Sequence, residues 1–198
     1  MKLDPVFTVK ENKLYKISDN SQVEFCLTEI SDKDFIAGIK DESLLKKITA
    51  EKNSICSILI AQKTIEPEPE AYNEEFLAEL RDALKVMEEK GLFAVLNVCP
   101  GLDDAHRAKV LSGTCEDDAV SGYVMSIKHT ARRVKDCESV AGVFIREDFT
   151  SENAPGKVMV LQDELLVKHA QYVFFADSAS AEKIRSAGAE YSDRVVFI

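Results

Sequence analysis

The sequence predicts an α/β fold of parallel strands joined by helices and opened by a β-hairpin, and three observations carry that prediction. Apolar runs of strand length start near positions 23, 55, 93, 140, 172 and 195, and amphipathic stretches of helical period separate most of them. Such alternation argues for parallel strands linked by right-handed crossovers. The run ICSILIA, residues 55 to 61, is apolar almost throughout, as expected of a strand covered on both faces. The 198 residues contain no repeat, low-complexity tract or linker, which suits one domain at about 100–200 residues each.

Taken in order, the runs Val6-Phe7-Thr8-Val9 and Leu14-Tyr15-Lys16-Ile17 read as two short strands. Glu11-Asn12-Lys13 between them reads as a hairpin turn, and Ser18-Asp19-Asn20-Ser21 as a second turn. From Val23 to Ile30, Val23, Phe25 and Leu27 alternate with Glu24, Cys26 and Thr28, the pattern of a half-buried strand. Asp41 to Lys52 carries Leu44, Leu45 and Ile48 at helical spacing. Glu66-Pro67-Glu68-Pro69-Glu70 fits neither element, because proline lacks a donor and biases its predecessor to extended geometry, so it reads as an acidic loop. Asn73 caps a helix with Phe76, Leu77, Leu80, Leu84 and Met87 on one face, and Gly91 stops it. Leu92 to Val98 is the next strand. Asp117 to Lys135 is a second long helix, striped by Val120, Tyr123, Val124, Ile127 and Val134. Val140 to Ile145 is strand, Gly156 to Ala170 helix, and Tyr172 to Ala176 strand. Ser178 caps a short helix ending at Gly188, and Val195 to Ile198 is the last strand.

Two architectures fit this order: an incomplete or shortened (β/α) TIM-like barrel, and an open doubly wound sheet. A full barrel takes about 250 residues, and here the sequence stops at its sixth strand. The closing VVFI is apolar with no helix after it. It closes against the N-terminal hairpin, meets another subunit, or marks a truncated ancestor. An unpaired apolar edge predicts self-association, hence a homo-oligomer through the C-terminal strand.

Composition narrows the function classes. Lys plus Arg number 25 against 35 Asp plus Glu, a formal charge of −10. A duplex or an anionic membrane repels such a chain, so nucleic-acid and membrane-surface roles are not expected. The opening MKLDPVFTVKENK lacks the apolar segment of a signal peptide. Cys26, Cys56, Cys99, Cys115 and Cys137 are odd in number and include no CxxC pair, which predicts reduced thiols and a cytoplasmic protein. No GxGxxG or GxxxxGK[ST] motif signals a phosphate cradle, and His106, His129 and His169 each stand apart from other ligand residues. No cofactor or metal is expected on these grounds.

In parallel α/β folds the reactive groups lie just beyond the carboxyl ends of the strands. Those positions are Glu29, Gln62 with Lys63, Asn97 with Cys99, Arg146-Glu147-Asp148, and Asp177. Acids clustered at one strand end can drive their pKa values apart and form an acid/base pair. The plainer explanation is that Arg146 and Asp148 solvate the loop, and that Asp177 and Ser178 are helix N-cap residues.

Three stretches resemble the N-terminal part of cellulase and β-mannanase-type glycoside hydrolases with a (β/α) barrel. FTVKENKLYKISDNSQVEFCLTEI is similar to their hairpin and first barrel strand. YNEEFLAELRDALKVMEEKGLFAVLNV resembles a helix, glycine turn and strand of theirs, and DAVSGYVMSIKHTARRVKDCESVAGVFIRED their helix and fourth strand. In the family that fourth strand ends in Asn-Glu-Pro, whose glutamate is the general acid/base. The resemblance therefore puts Glu147 in the catalytic position, with Arg146 replacing the asparagine and Asp148 the proline. The family's nucleophile comes from a seventh strand, so Asp148, Asp177 or Glu29 would have to stand in as partner carboxylate. Asn97, Arg146 and Gln62 are the binding candidates. The resemblance implies a carbohydrate ligand and hydrolysis of a glycosidic bond. The alternative is a non-catalytic carbohydrate-binding or protein-interaction domain on a degenerate barrel.

Overall fold

The computed structural model describes residues 3–25, 27–50, 55–68, 71–100, 117–146 and 155–198. Cys26, His106, Cys115, Glu147 and Asp148, and the end of the acidic loop at residues 69–70, lie outside the described residues.

Strands β1 (Phe7–Lys10) and β2 (Lys13–Lys16) form an antiparallel hairpin. Its turn is tighter than the sequence suggests. Lys10 pairs with Lys13, and Glu11 and Asn12 take φ of 50° and 57°. Positive φ at both central residues gives the twist that a two-residue turn needs to match its strands, and asparagine tolerates it well.

The remaining strands are β3 (Thr28–Ser31), β4 (Ile55–Ala61), β5 (Phe93–Cys99), β6 (Val140–Phe144), β7 (Val173–Ala176) and β8 (Val195–Phe197). They form one parallel sheet in the order β3-β4-β5-β6-β7-β8. That order decides between the two architectures. A doubly wound sheet reverses strand order at a switch point and buries both faces under helices. Here the order never reverses, and the two faces differ. One face, including Ile58, Ile60, Leu96, Val98, Val143 and Phe174, packs into the main core with the helices. The other, with Ile55, Val95, Ala141, Phe175 and Val196, packs against Phe7 and Leu14 of the hairpin. This is a partial TIM-barrel-like fold with the hairpin on its inner side.

Helices α1 (Asp32–Lys40), α2 (Ser43–Ala50), α3 (Gln62–Ile65), α4 (Glu74–Glu89), α5 (Asp117–Arg133), α6 (Pro155–Leu166), α7 (Ala181–Arg185) and α8 (Ala189–Ser192), with a 3-10 turn at Ser178–Ser180, complete the described elements. In α4 the Asn73 side chain accepts from the Phe76 N–H, and Leu77, Leu80, Leu84 and Met87 are fully buried. Each such side chain contributes about 1.5–3 kcal/mol. Gly91 ends the helix at φ 67°, the left-handed stop expected of it. Two expectations change. Gln22 bridges Tyr15 and the Val23 N–H donates to the Leu14 carbonyl at 2.9 Å, but among the described residues the strand is confined to Thr28–Ser31. The helical segment expected to be capped by Ser178 begins instead as the 3-10 turn Ser178–Ser180 capped by Asp177, whose carboxylate accepts from the Ser180 N–H at 2.7 Å.

A bulge in β6 orients its end. Ala94 pairs with Val140 but Val95 with Gly142, leaving Ala141 as the extra residue. Alternation is thereby shifted, so that Ala141 and Phe144 both face the inner side while Val143 and Ile145 face the helices. The Val173 backbone crosses closely at Gly142, where an added Cβ would lie 1.7 Å from the Val173 carbonyl oxygen.

Candidate functional site

The inner face of the sheet is apolar at the amino ends of its strands and polar at the carboxyl ends. Ser57 and Asn97 are the polar residues inside the runs ICSILIA and LFAVLNV, and both are buried. Parallel register sets Glu29 beside Ser57 and Leu59 beside Asn97, which brings the three side chains together. Asn97 is wholly shielded from solvent. Its Nδ2 donates to Glu29 Oε1 and to Ser57 Oγ, each at 3.3 Å. Its Oδ1 accepts from Arg146 Nη1 at 3.1 Å, and the same guanidinium nitrogen lies 3.5 Å from Cys99 Sγ. Four strands thus contribute to one hydrogen-bonded network, with the shifted alternation of β6 turning Arg146 into it.

A cleft of about 880 Å3 opens beside this network. Glu29, Ser57, Arg146 and Asp177 line its polar end, Phe25, Leu27, Phe144 and Val196 its apolar wall, and Asn12, Lys13 and Leu14 of the hairpin its other side. A volume in this range holds a ligand of a few hundred daltons. Of the residues singled out in the sequence, Asn97, Cys99, Arg146 and Glu29 come together, and Asp177 joins Glu29 and Arg146 in the lining. Gln62 starts α3, is half-buried, and is not among the lining residues. Glu147 and Asp148 lie outside the described residues. Ser57 and the hairpin residues were not singled out. The signal for Ser57 was available, as the polar residue at the centre of an apolar strand.

Perturbed groups of the helix-covered core stand apart from this cleft. Burial pushes the Cys56 and Cys137 thiols up to about 12, so both stay protonated and behave as small hydrophobes. His129 stacks on Tyr72 with ring centroids 3.7 Å apart, and its Nε2 meets Glu74 Oε1 at 3.0 Å, an arrangement that ties α5 to the start of α4. Among the described residues, no three His, Cys, Asp or Glu side chains are grouped to hold a metal ion, and no helix is long and apolar enough to cross a membrane.

No protein-family model and no curated protein matches the sequence. Solved structures do match in fold. An endo-glycoceramidase II from Rhodococcus sp., in complex with a ganglioside, superposes with a TM-score of 0.64 at 10% identity over 88% of this chain and 51% of its own. An endogalactoceramidase gives 0.63 at 13% identity over 98% of this chain and 59% of its own. An endocellulase from Pyrococcus horikoshii, in complex with cellotetraose, gives 0.58 at 11% identity over 86% and 56%. The chain spans about half the length of the solved chains it matches. In fold, this chain resembles a glycoside-hydrolase (β/α) barrel over six parallel strands.

Proposed function

We propose that this protein is glycoside-hydrolase-like in function as well as fold, taking a saccharide at the polar end of the cleft and cleaving a glycosidic bond there. The observation that carries the proposal is the Glu29–Asn97–Arg146 network, a fixed array of donors and acceptors at the carboxyl ends of parallel strands, where such folds place their chemistry. Glu147, one residue beyond Arg146, serves as the acid that protonates the glycosidic oxygen. Asp177, Asp148 or Glu29 serves as the partner carboxylate. Retention needs the two carboxyl groups about 5–5.5 Å apart, and inversion about 6.5–9.5 Å. Phe25 and Phe144 supply apolar surface for a sugar face, and the network supplies hydroxyl partners.

One observation favours a second reading, binding without turnover. A general acid needs its pKa raised, whereas a neighbouring guanidinium favours the ionised carboxylate, and Arg146 stands next to Glu147 in the sequence. Calorimetry and product analysis with cellotetraose and a lactosyl glycolipid separate the readings. Under the first, sugar is released, and Glu147→Gln lowers the rate by at least about 100-fold, the usual contribution of an acid/base group, while binding persists. Binding with no release in the unaltered protein supports the second. Absence of binding overturns both.

A further inference from the structure

We propose that Glu29 is the partner carboxylate of the hydrolysis proposed above, acting as a general base on water so that the glycosidic bond is cleaved with inversion; the inference rests on that reading. Among the described residues three carboxylates line the cleft, those of Glu24, Glu29 and Asp177, together with two cations, Lys13 and Arg146. Glu24 precedes β3, whereas folds of this kind place their chemistry at the carboxyl ends of the strands. Asp177 holds the chain in shape, its carboxylate accepting from the Ser180 N–H at 2.7 Å to cap the turn that follows β7. Of the three, Glu29 is the one bound to the buried amide of Asn97.

That amide aims it. A guanidinium only donates, so the end of Asn97 that meets Arg146 Nη1 at 3.1 Å must be the oxygen. The opposite end, Nδ2, is thereby directed at Glu29 Oε1 and Ser57 Oγ, each at 3.3 Å. Asn97 is wholly buried and Glu29 is exposed, so an orientation set inside the protein reaches a carboxylate open to the cleft. Asn97 is a positioning residue, and Glu29 is the group that meets the water.

The same amide bears on the spacing. In the order β3-β4-β5-β6 the outer two strands lie about 14 Å apart along the sheet at the usual strand separation. The Asn97 amide occupies the span between the Glu29 carboxylate and the Arg146 guanidinium. An acid supplied from the β6 end therefore works with Glu29 at the wider carboxyl separation, about 6.5–9.5 Å, which leaves room for a water. Glu29 takes a proton from that water as the water oxygen bonds to the anomeric carbon. The glycosidic bond breaks, and the acid, Glu147, gives its proton to the leaving oxygen. One proton is taken up for each one given, and no sugar becomes bonded to the protein.

The test uses the whole chain with cellotetraose and a lactosyl glycolipid, both β-linked, and follows the configuration of the first sugar released by proton NMR. Expected is the α-anomer. Glu29→Gln should lower kcat by at least about 100-fold while the protein still binds the sugar. Azide should restore release from Glu29→Ala, as an α-glycosyl azide, because an anionic nucleophile needs no base. Asn97→Asp, which loses the donor to Glu29, should lower kcat with KM nearly unchanged. Release of the β-anomer, or a Glu29→Gln variant as active as the unaltered protein, overturns the inference and leaves hydrolysis standing. No release from the unaltered protein, with or without binding, overturns the inference together with the hydrolytic reading.

Discussion

Asn97 uses both ends of its amide inside the protein, donating to Glu29 and Ser57 and accepting from Arg146. Truncation to alanine strands these partners around a void. Each buried polar group left unsatisfied costs about 1–3 kcal/mol, and Asn97→Ala should lower the urea midpoint accordingly while weakening any ligand held by Arg146 and Glu29. A midpoint equal to that of the unaltered protein would show the network to be loose. His169 presents the opposite case. It is buried, stacks on Tyr172 at 5.1 Å, and among the described residues neither its Nδ1 nor the Tyr172 hydroxyl has a hydrogen-bond partner. Burial, reinforced by Lys168 and Lys135, holds its pKa below the usual 6.5. The unfolded chain then binds the proton more readily than the folded one, so stability rises with pH across this window. As pH falls below about 6.5, the protein should lose stability, and His169→Phe should flatten that slope in denaturation midpoints measured between pH 7 and pH 5. An unchanged slope would assign the acid sensitivity to other groups. Asp136 acts at lower pH. Its hydrogen bond to Arg81 holds its pKa below the usual carboxylate value, so its contribution is lost only as pH falls through that lowered pKa, and it is small because both side chains are more than a third exposed.

Elements differ in how plainly the sequence announces them, and the reason is burial. The strands that became β4 to β8 are legible because a strand covered on both faces must be apolar at nearly every position. The first helix, α1, was not predicted, although Ser31 caps it through the Asp34 N–H and Phe35, Ile36 and Ile39 line its buried side. Its apolar residues are few, and Gly38 in its last turn weakens the helical signal. That glycine has a packing reason, since an added Cβ would lie 2.8 Å from Leu44 Cβ on α2. The bulge of β6 was equally illegible, because VAGVFI reads as an unbroken strand and only pairing reveals the extra residue. Two glycines test this account. Gly142→Ala drives a methyl into the Val173 backbone, a clash that no side-chain motion relieves, and should prevent folding or cost more than about 3 kcal/mol. Gly122→Ala, on α5 with no described atom within 4 Å of an added Cβ, should instead stabilise by about 0.5–1 kcal/mol. Thermal melts of the two variants should move in opposite directions.

For the whole molecule, what the sequence left open was closure. It placed Glu29, Asn97, Cys99, Arg146 and Asp177 at strand ends, yet their convergence depends on register and on the bulge, which linear spacing does not encode. It also left VVFI with three fates. The structure lays the hairpin turn along this strand, and the turn residue Asn12 carries the contact, with its side chain on Ser192 and Val195 and its carbonyl on Phe197. A short outer strand with its backbone groups occupied is how a sheet avoids unwanted pairing. Removing the clamp should therefore affect assembly as well as stability. Asn12→Gly isolates the side chain, because glycine keeps the positive φ at no steric cost. Two carbonyls then lose their donor, for a loss of about 1–2 kcal/mol, and the apolar edge of β8 becomes available to a neighbour. Asn12→Ala loses the same bonds and adds the strain of a left-handed alanine, about 1 kcal/mol more. Light scattering at increasing concentration should find more self-association in Asn12→Gly than in the unaltered protein. If both variants destabilise but neither associates, the clamp holds the hairpin in place without guarding the edge. If the unaltered protein already associates to the same extent, self-association runs through a surface other than the β8 edge.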